Sequence, residues 1–313
     1  MIVTVTCNPA TDVTYRVDRL TPGEVHRVAE VAERAGGKGV NVARVLHQLG
    51  EAVVATGLAD HEFGHLLERS GIAAAFVPAL PAVRRTVVVH ADDGVTGLWE
   101  PGPAPTDAGA AERALVEQVD SLLVGATALV VSGSLPAGVD AALPVRLAER
   151  AAARGLPTVL DLDDEPLRVA SRGGGAVLAP NLDELRRLVN AEDAELDVVR
   201  AAHELGTRTG APVVVTLGRD GMVAAADGRS WHAAAPEPVS GNATGAGDAA
   251  TAAIARGLST GQGWPEVLAD AVALSAAAVA APVAGEVDLE CYRSLRRRVS
   301  ARPLDSLTMG GPA

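Results

Sequence analysis

The segment Ile2-Val3-Thr4-Val5-Thr6 is apolar enough to form a buried strand, and it stops at Asn8-Pro9, a turn signal. From Thr11 to Val31 apolar and polar residues alternate around Thr21-Pro22-Gly23, which predicts a hairpin-like excursion. Beyond Gly39, the spacing of Val40, Ala43, Val45, Leu46 and Leu49 is helical, with Gly50 as its C-cap. A strand over 52–57 and a short helix over 64–70 follow. Arg85 to His90 and Val95 to Trp99 flank Asp92-Asp93-Gly94 and predict a second hairpin with an Asp-Gly turn. From residue 107 onward the rhythm changes to helix 107–124, strand 128–132, helix 139–154 and strand 158–161, with further apolar strands at 177–179 and 213–217. Continuously apolar strands alternating with helices predict an α/β fold with a parallel sheet covered on both faces. Ligands bind such sheets outside the carboxyl ends of the strands, where Asn8, Gly133, Asn181 and Gly218 fall. No internal repeat or disordered linker is evident, and only Met309 to Ala313 read as a loose tail.

Composition narrows the classes of function. A chain of 313 residues can bury roughly three quarters of its unfolded surface, so one large core, with a small subdomain, needs no disulfide or metal staple. Cys7 and Cys291 lack CxxC or Cys/His spacing and read as reduced thiols, which predicts a cytoplasmic protein. A net charge of -12 argues against nucleic acid or an anionic membrane as partner, while leaving room for a local basic pocket. The N-terminus does not read as a signal peptide, and the alanine-rich run from Ala269 to Ala281 is too short to span a bilayer.

Two glycine clusters carry the candidate chemistry. Lys38, the only lysine among 27 lysines and arginines, sits in Gly36-Gly37-Lys38-Gly39. A compact ammonium where backbone can approach closely suggests contact with a phosphate or sugar hydroxyl; a solvated surface turn is the plainer reading. Near the other end, Thr244-Gly245-Ala246-Gly247-Asp248 runs into an apolar helix. Small residues entering a helix expose unpaired N–H groups at its positive end, a ready anion site. Asp248 in that turn could accept a hydroxyl proton, or could simply cap the helix. Neither cluster is a GxxxxGK[ST] loop, and no GxGxxG follows a strand.

With Thr6-Cys7-Asn8-Pro9-Ala10-Thr11-Asp12, Pro22-Gly23-Glu24-Val25-His26, Ala35-Gly36-Gly37-Lys38-Gly39-Val40-Asn41-Val42-Ala43, Val131-Ser132-Gly133-Ser134-Leu135-Pro136, Pro180-Asn181-Leu182-Asp183-Glu184 and Thr216-Leu217-Gly218-Arg219-Asp220-Gly221 in order before the GAGD cluster, the chain resembles the PfkB (ribokinase-like) sugar kinases. Within them it is most similar to the 1-phosphofructokinase and tagatose-6-phosphate kinase branch. The resemblance implies a three-layer α/β/α sandwich in a single domain, residues 1–313, with a small β-sheet lid from segments about 11–34 and 83–101 that also serves as a dimer interface. It implies ATP and Mg2+ as cofactors and a sugar phosphate as acceptor. Asp248 would be the catalytic base, with Gly245, Ala246 and Gly247 as the anion hole. Asp12, Gly37, Lys38 and Asn41 would hold the sugar, Lys38 contacting its existing phosphate. Asn181 and Glu184 would organise magnesium on the nucleotide, Glu184 through water. Thr216 and Gly218 would line the nucleotide site, with Gly221 shaping the nearby loop.

Arg85 is the expected phosphate ligand of the lid; Arg84 beside it on a strand would face the opposite way. Ser132 is a further candidate for the sugar phosphate. Asp161 and Asp163 read as a strand-end turn with a metal role as the alternative, Trp99 and Trp264 as packing residues, and His47, His203 and His232 as structural or solvated. Three departures stand out against relatives: Ala179 in place of a lysine before Pro-Asn, Val87 in place of an asparagine two residues after the lid arginine, and Asn242-Ala243 before Thr244. The expected reaction is phosphorylation of fructose 1-phosphate to fructose 1,6-bisphosphate. Tagatose 6-phosphate, fructose 6-phosphate and an unphosphorylated sugar are the alternative acceptors, and a non-catalytic sugar-phosphate sensor is the rival from another class.

Overall fold

The computed structural model describes the chain except residues 29, 93, 192–194, 282, 284 and 310–313. Asp93 of the expected Asp-Gly turn, and the tail beyond Met309, thus lie outside the described residues.

Among the described residues the main sheet has ten strands. Ile2–Thr6, third from one edge, pairs in parallel with Val53–Ala59 on one side and Ala128–Gly133 on the other. Parallel pairing continues outward to Ala73–Pro78 in one direction, and through Thr158–Leu162 and Val177–Leu178 to Val213–Thr216 in the other. There the sheet turns antiparallel, adding Met222–Ala226, Arg229–Ala233 and Arg302–Pro303.

Strand pleating divides the core into two layers. Ile2, Val130, Val159 and Val214 pack on one face with the helices Lys38–Gln48, Ala246–Ser259 and Trp264–Val279. Val3, Val5, Leu129, Val131 and Leu160 face the other way, against Ala108–Leu122, Leu143–Ala152 and Val198–Thr209. This is the expected α/β/α sandwich. Trp264 packs on the first layer as expected. Among the described residues no helix is long and apolar enough to cross a membrane.

The two predicted hairpins join into a separate four-stranded sheet. Ala10–Arg16 pairs antiparallel with Glu30–Gly36 and parallel with Arg84–Ala91, which pairs with Gly94–Trp99. Four strands of the main sheet go beyond those expected from the sequence: Ala73–Pro78, Met222–Ala226, Arg229–Ala233 and Arg302–Pro303. Ala73-Ala74-Ala75 has weak strand propensity, and its pairing with Val53–Ala59 decides its conformation. Met222–Ala226 and Arg229–Ala233 are joined at Asp227-Gly228, both at positive φ (52° and 71°), the geometry that an Asp-Gly pair signals. Met309 is not loose, since Thr308–Met309 pairs with Leu196–Asp197.

The helix Ala246–Ser259, which starts at the GAGD cluster, is tied down at its far end. Asp270, 2% exposed, accepts hydrogen bonds from Arg256 (2.6 Å), Tyr292 (2.6 Å) and Arg296 (2.9 Å), so three helices share one carboxylate. Removing it strands two guanidiniums and a phenol in a site with little water. Asp270→Ala is expected to cost about 3–5 kcal/mol, as for other broken buried ion pairs. Tyr292→Phe, losing one hydroxyl, is expected to cost about 1 kcal/mol. Urea unfolding midpoints at constant m-value check both.

Candidate active site

A cavity of about 710 Å³ lies between the small sheet and the carboxyl ends of the parallel strands. Thr6 ends Ile2–Thr6 and Asn8 lies just beyond it, Gly133 ends Ala128–Gly133 and Ser134 follows, Asp161 lies near the end of Thr158–Leu162 with Asp163 just after it, and Asn181 lies beyond Val177–Leu178. The opposite wall is one face of the small sheet. Register places Asp12, Arg34, Thr86 and Trp99 on that face, with Arg84, Val88 and His90 continuing along their strand.

Asp248 sits in the first turn of Ala246–Ser259, 6% exposed, with an oxygen 2.8 Å from the Asn41 side-chain nitrogen that donates to it. Gly245 caps this helix at φ 87°, a left-handed conformation that suits glycine. The N–H of Ala246 donates to the Ala243 carbonyl (3.1 Å), so Ala246 does not offer an amide to the cavity as expected. Gly245 and Gly247 do line the cavity, and a Cβ on Gly247 would meet nothing within 4 Å. Helix geometry leaves the amides of this first turn without intrahelical partners, so the positive end opens beside the carboxylate. Burial is the largest influence on Asp248 and raises its pKa, as do Asp161 and Asp12. Asn41 and Lys38 oppose them, and the balance pushes the carboxyl up to about 7.

Lys38 is not held for an incoming phosphate alone. Its ammonium donates to Asp163 (2.7 Å) and Asp161 (3.3 Å). Burial opposes its charge, but the two aspartates prevail and hold its pKa above the usual lysine value. Asp161 also accepts from Ser132 (3.0 Å) and Thr251 (3.5 Å). Ser132 is therefore buried behind Asp161, away from the cavity wall, and its neighbour Ser134 lines the cavity in its place. The sequence reads Asp161 and Asp163 as a strand-end turn, but both are also ion-paired to Lys38 and so are central to the charge arrangement.

Asn181 and Glu184 form a reciprocal capping box. The Glu184 carboxylate accepts the Asn181 N–H (2.8 Å), and the Asn181 side chain accepts the Glu184 N–H (2.9 Å). Burial raises the Glu184 pKa above the ordinary glutamate value against that hydrogen bond and Lys38. Both residues line the cavity, as do Gly37, Asn41, Ala179 and Thr216. Gly218 and Gly221 are not on its wall. Gly221 is required for another reason, since a Cβ there would fall 2.0 Å from the Ala233 carbonyl.

The small sheet corrects the choice of arginine. Arg85 is exposed on the outer face, its N–H donating to Glu100 (2.7 Å). Arg84 faces the cavity and donates to the carbonyls of Asn8 (3.2 Å) and Glu100 (3.1 Å). Two residues on from Arg84 is Thr86, a polar residue on the cavity wall, whereas Val87 is not on that wall. The Asn8 side chain donates to Ser134 (3.1 Å) and to the Pro101 carbonyl (3.1 Å), and its own oxygen is buried without a partner among the described residues. Trp99, expected to fill a packing gap, is 72% exposed and lines the cavity. His203 and His232 are structural as expected, bonded to Ser230 (2.7 Å) and the Asp220 carbonyl (2.8 Å).

The Asp248 shift has a signed consequence for stability. Its folded-state pKa lies above the ordinary aspartate value of 3.8, so the native state binds this proton more tightly than the unfolded chain. Stability is therefore lost as pH rises from about 4 to about 7, and the penalty is complete above that range. Asp248→Asn is expected to raise stability at pH 8 by about 2–4 kcal/mol, and the gain should vanish near pH 4. Unfolding midpoints of both proteins across that range check it.

A profile of the pfkB family carbohydrate kinases matches residues 4–290. Phosphofructokinase-2 from Escherichia coli is 28% identical, superposes with a TM-score of 0.88, and the match covers 95% of this chain and 98% of that one. A candidate phosphofructokinase from Staphylococcus aureus is 25% identical with a TM-score of 0.81, over 98% of this chain and 100% of that one. A candidate 1-phosphofructokinase from Thermotoga maritima is 22% identical with a TM-score of 0.82, over 97% and 99% of the two chains, a likeness of fold alone. The chain belongs to the pfkB family of carbohydrate kinases and is an ATP-dependent sugar kinase.

Proposed function

We propose that the acceptor is a phosphorylated ketohexose and that the polarity of the cavity selects it. The observation that carries this reading is the separation of charge. Around Asp12, beneath the small sheet, Arg34, Arg44 and Arg84 bring three guanidiniums to bear on one carboxylate. At the other end, Asp161, Asp163 and Asp248 gather with Glu184 near Lys38. A dianionic phosphate suits the first end, and Arg84, whose hydrogen bonds go to neutral carbonyls, keeps its charge available there. Lys38, already shared by two aspartates, is the weaker candidate for that task than the sequence suggests.

In this reading the sugar lies between the arginines and the Ala246 helix, with a free hydroxyl facing Asp248. Asp248 takes the hydroxyl proton as the oxygen bonds to the γ-phosphorus of ATP, and the bond from phosphorus to the bridging oxygen breaks to release ADP. The amides of Gly245 and Gly247 face the transferring group. Asn41 holds the base in place through its amide nitrogen. The small sheet acts as a lid that excludes water and so suppresses ATP hydrolysis.

The residues present fit a hydrated Mg2+. Among the described residues no three acid, histidine or cysteine side chains are close enough to hold a metal directly. Glu184 and Asn181 on the cavity wall would hold the ion through water, since Mg2+ keeps much of its hydration shell. When bound it would neutralise charge on the nucleotide phosphates.

Fructose 1-phosphate is the acceptor expected from the sequence, and the likeness to phosphofructokinase-2 favours fructose 6-phosphate as the second reading. A homodimer through the lid is part of the proposal, supported by Val31 and Leu98 standing 53% and 60% exposed on that sheet. A tetrameric form is described for the Escherichia coli protein. The free thiols Cys7 and Cys291 support a reducing, cytoplasmic setting.

Turnover with Mg-ATP and a panel of fructose 1-phosphate, fructose 6-phosphate, tagatose 6-phosphate and free fructose tests the reading. A sugar phosphate should lead by a wide margin; equal turnover of free fructose would sink it. Arg84→Gln should raise KM for the sugar phosphate about 10- to 100-fold, the worth of a charge-assisted hydrogen bond, while Arg85→Gln leaves it within about twofold. Asp248→Asn should abolish turnover while sugar still binds, whereas a sensor would be unaffected. For the wild type, kcat/KM should fall about tenfold per unit as pH drops below about 7, where Asp248 becomes protonated.

A further inference from the structure

Arg34 has a competitor for any acceptor phosphate. Its guanidinium reaches from the small sheet to Glu286, in the segment after Trp264–Val279, and donates to that carboxylate at 3.2 Å. Arg34 lines the cavity across the strand pair from Asp12. Its charge bears on Arg44, whose pKa is lowered first by burial and then by Arg34, while Glu286 and Asp12 offset part of that effect. Glu286 therefore helps to balance two adjacent guanidiniums at the cationic end of the cavity.

Glu286 is also held in place from both sides. Gly285 abuts Asn41, such that a Cβ on it would lie 2.7 Å from the Asn41 side-chain oxygen. The Val287 N–H and carbonyl are both bound by the Gln48 amide, at 3.1 Å and 3.0 Å. The backbone on either side is fixed against the helix Lys38–Gln48, while the carboxylate remains 42% exposed beside the cavity. The pair is partly exposed, 23% at the Arg34 side chain and 42% at that of Glu286, and a partly exposed ion pair is weak enough to exchange.

We propose that Glu286 is a specificity-determining residue that occupies Arg34 until the phosphate of an acceptor takes its place. This rests on the phosphorylated-acceptor reading. The exchange replaces a carboxylate with a dianion, so it favours a sugar phosphate over a free sugar, and the retained Glu286 limits how tightly the acceptor is bound. Neutralising Glu286 should loosen the competing hold on Arg34 and improve sugar-phosphate binding alone.

Steady-state kinetics and calorimetry on the intact chain test this with Glu286→Gln, Arg34→Gln and the double variant, using fructose 1-phosphate, fructose 6-phosphate and free fructose. E286Q should lower KM and Kd for the preferred sugar phosphate about three- to fivefold and leave those for free fructose unchanged. In the R34Q background the same substitution should have no effect. If R34Q fails to fold, Arg34→Met, which keeps the apolar stem, takes its place in the cycle. Equal change for both kinds of acceptor, no change, or an effect that survives without Arg34 would overturn the proposal. A wild-type chain that turns over no sugar phosphate defeats the kinase reading of the acceptor, whereas calorimetric Kd values decide the Arg34–Glu286 exchange independently of turnover.

Discussion

The burial of the Asp248 carboxylate at the open end of a helix is the constraint around which the rest of the molecule is arranged. Removing a carboxylate from water is costly, and Asp161 and Asp12 add to that cost. The hydrogen bond from Asn41 and the charge of Lys38 keep the group ionisable near neutrality, as the proposed general base requires. Both partners come from the helix that follows the first glycine cluster, and Asn41 stands 207 residues from Asp248 in the chain. The parallel sheet and its paired helices bring them together by placing both helix starts at the carboxyl ends of its strands.

From this point the cavity divides by charge. In the proposed reading, the carboxylate-rich end takes a hydrated cation with its polyphosphate, and the guanidinium-rich end under the small sheet takes an anion already on the sugar. A net charge of -12 would repel such substrates if it were evenly spread, so local arrangement matters more than the total. The Asp270 cluster does for the far end of the Ala246 helix what Asn41 does for the near end, fixing it through ionic contacts beside helices that bury many small alanines.

Much of this is legible in the sequence, and the failures have physical reasons. The parallel strands and the helices after residue 107 follow from apolar runs and periodicity. The glycine clusters stand out because a run of small residues entering a helix is a local pattern, readable without any tertiary contact. Arg84 and Arg85 are hard to tell apart because pleating alternates faces with every residue, and only the pairing with Ala10–Arg16 sets which one points inward. Lys38 stands out as a lone lysine, but its aspartate partners lie 123 and 125 residues away, beyond any local pattern. Ser132 and Ser134 differ in the same way: the earlier residue is inside the strand and bonded to Asp161, and the later one emerges into the cavity. Trp99 has the composition of a core residue, yet it ends an edge strand whose neighbours are exposed.

The proposed chemistry requires one orientation of the acceptor between the two charged ends. A crystal structure of the chain with fructose 1-phosphate or fructose 6-phosphate and a non-hydrolysable ATP analogue tests it most directly. The existing phosphate is expected against Arg84, with a free hydroxyl within hydrogen-bonding distance of Asp248 and the terminal phosphate of the analogue at Gly245 and Gly247. A sugar phosphate bound the other way round, with its phosphate at the Ala246 helix and no hydroxyl near Asp248, would contradict it.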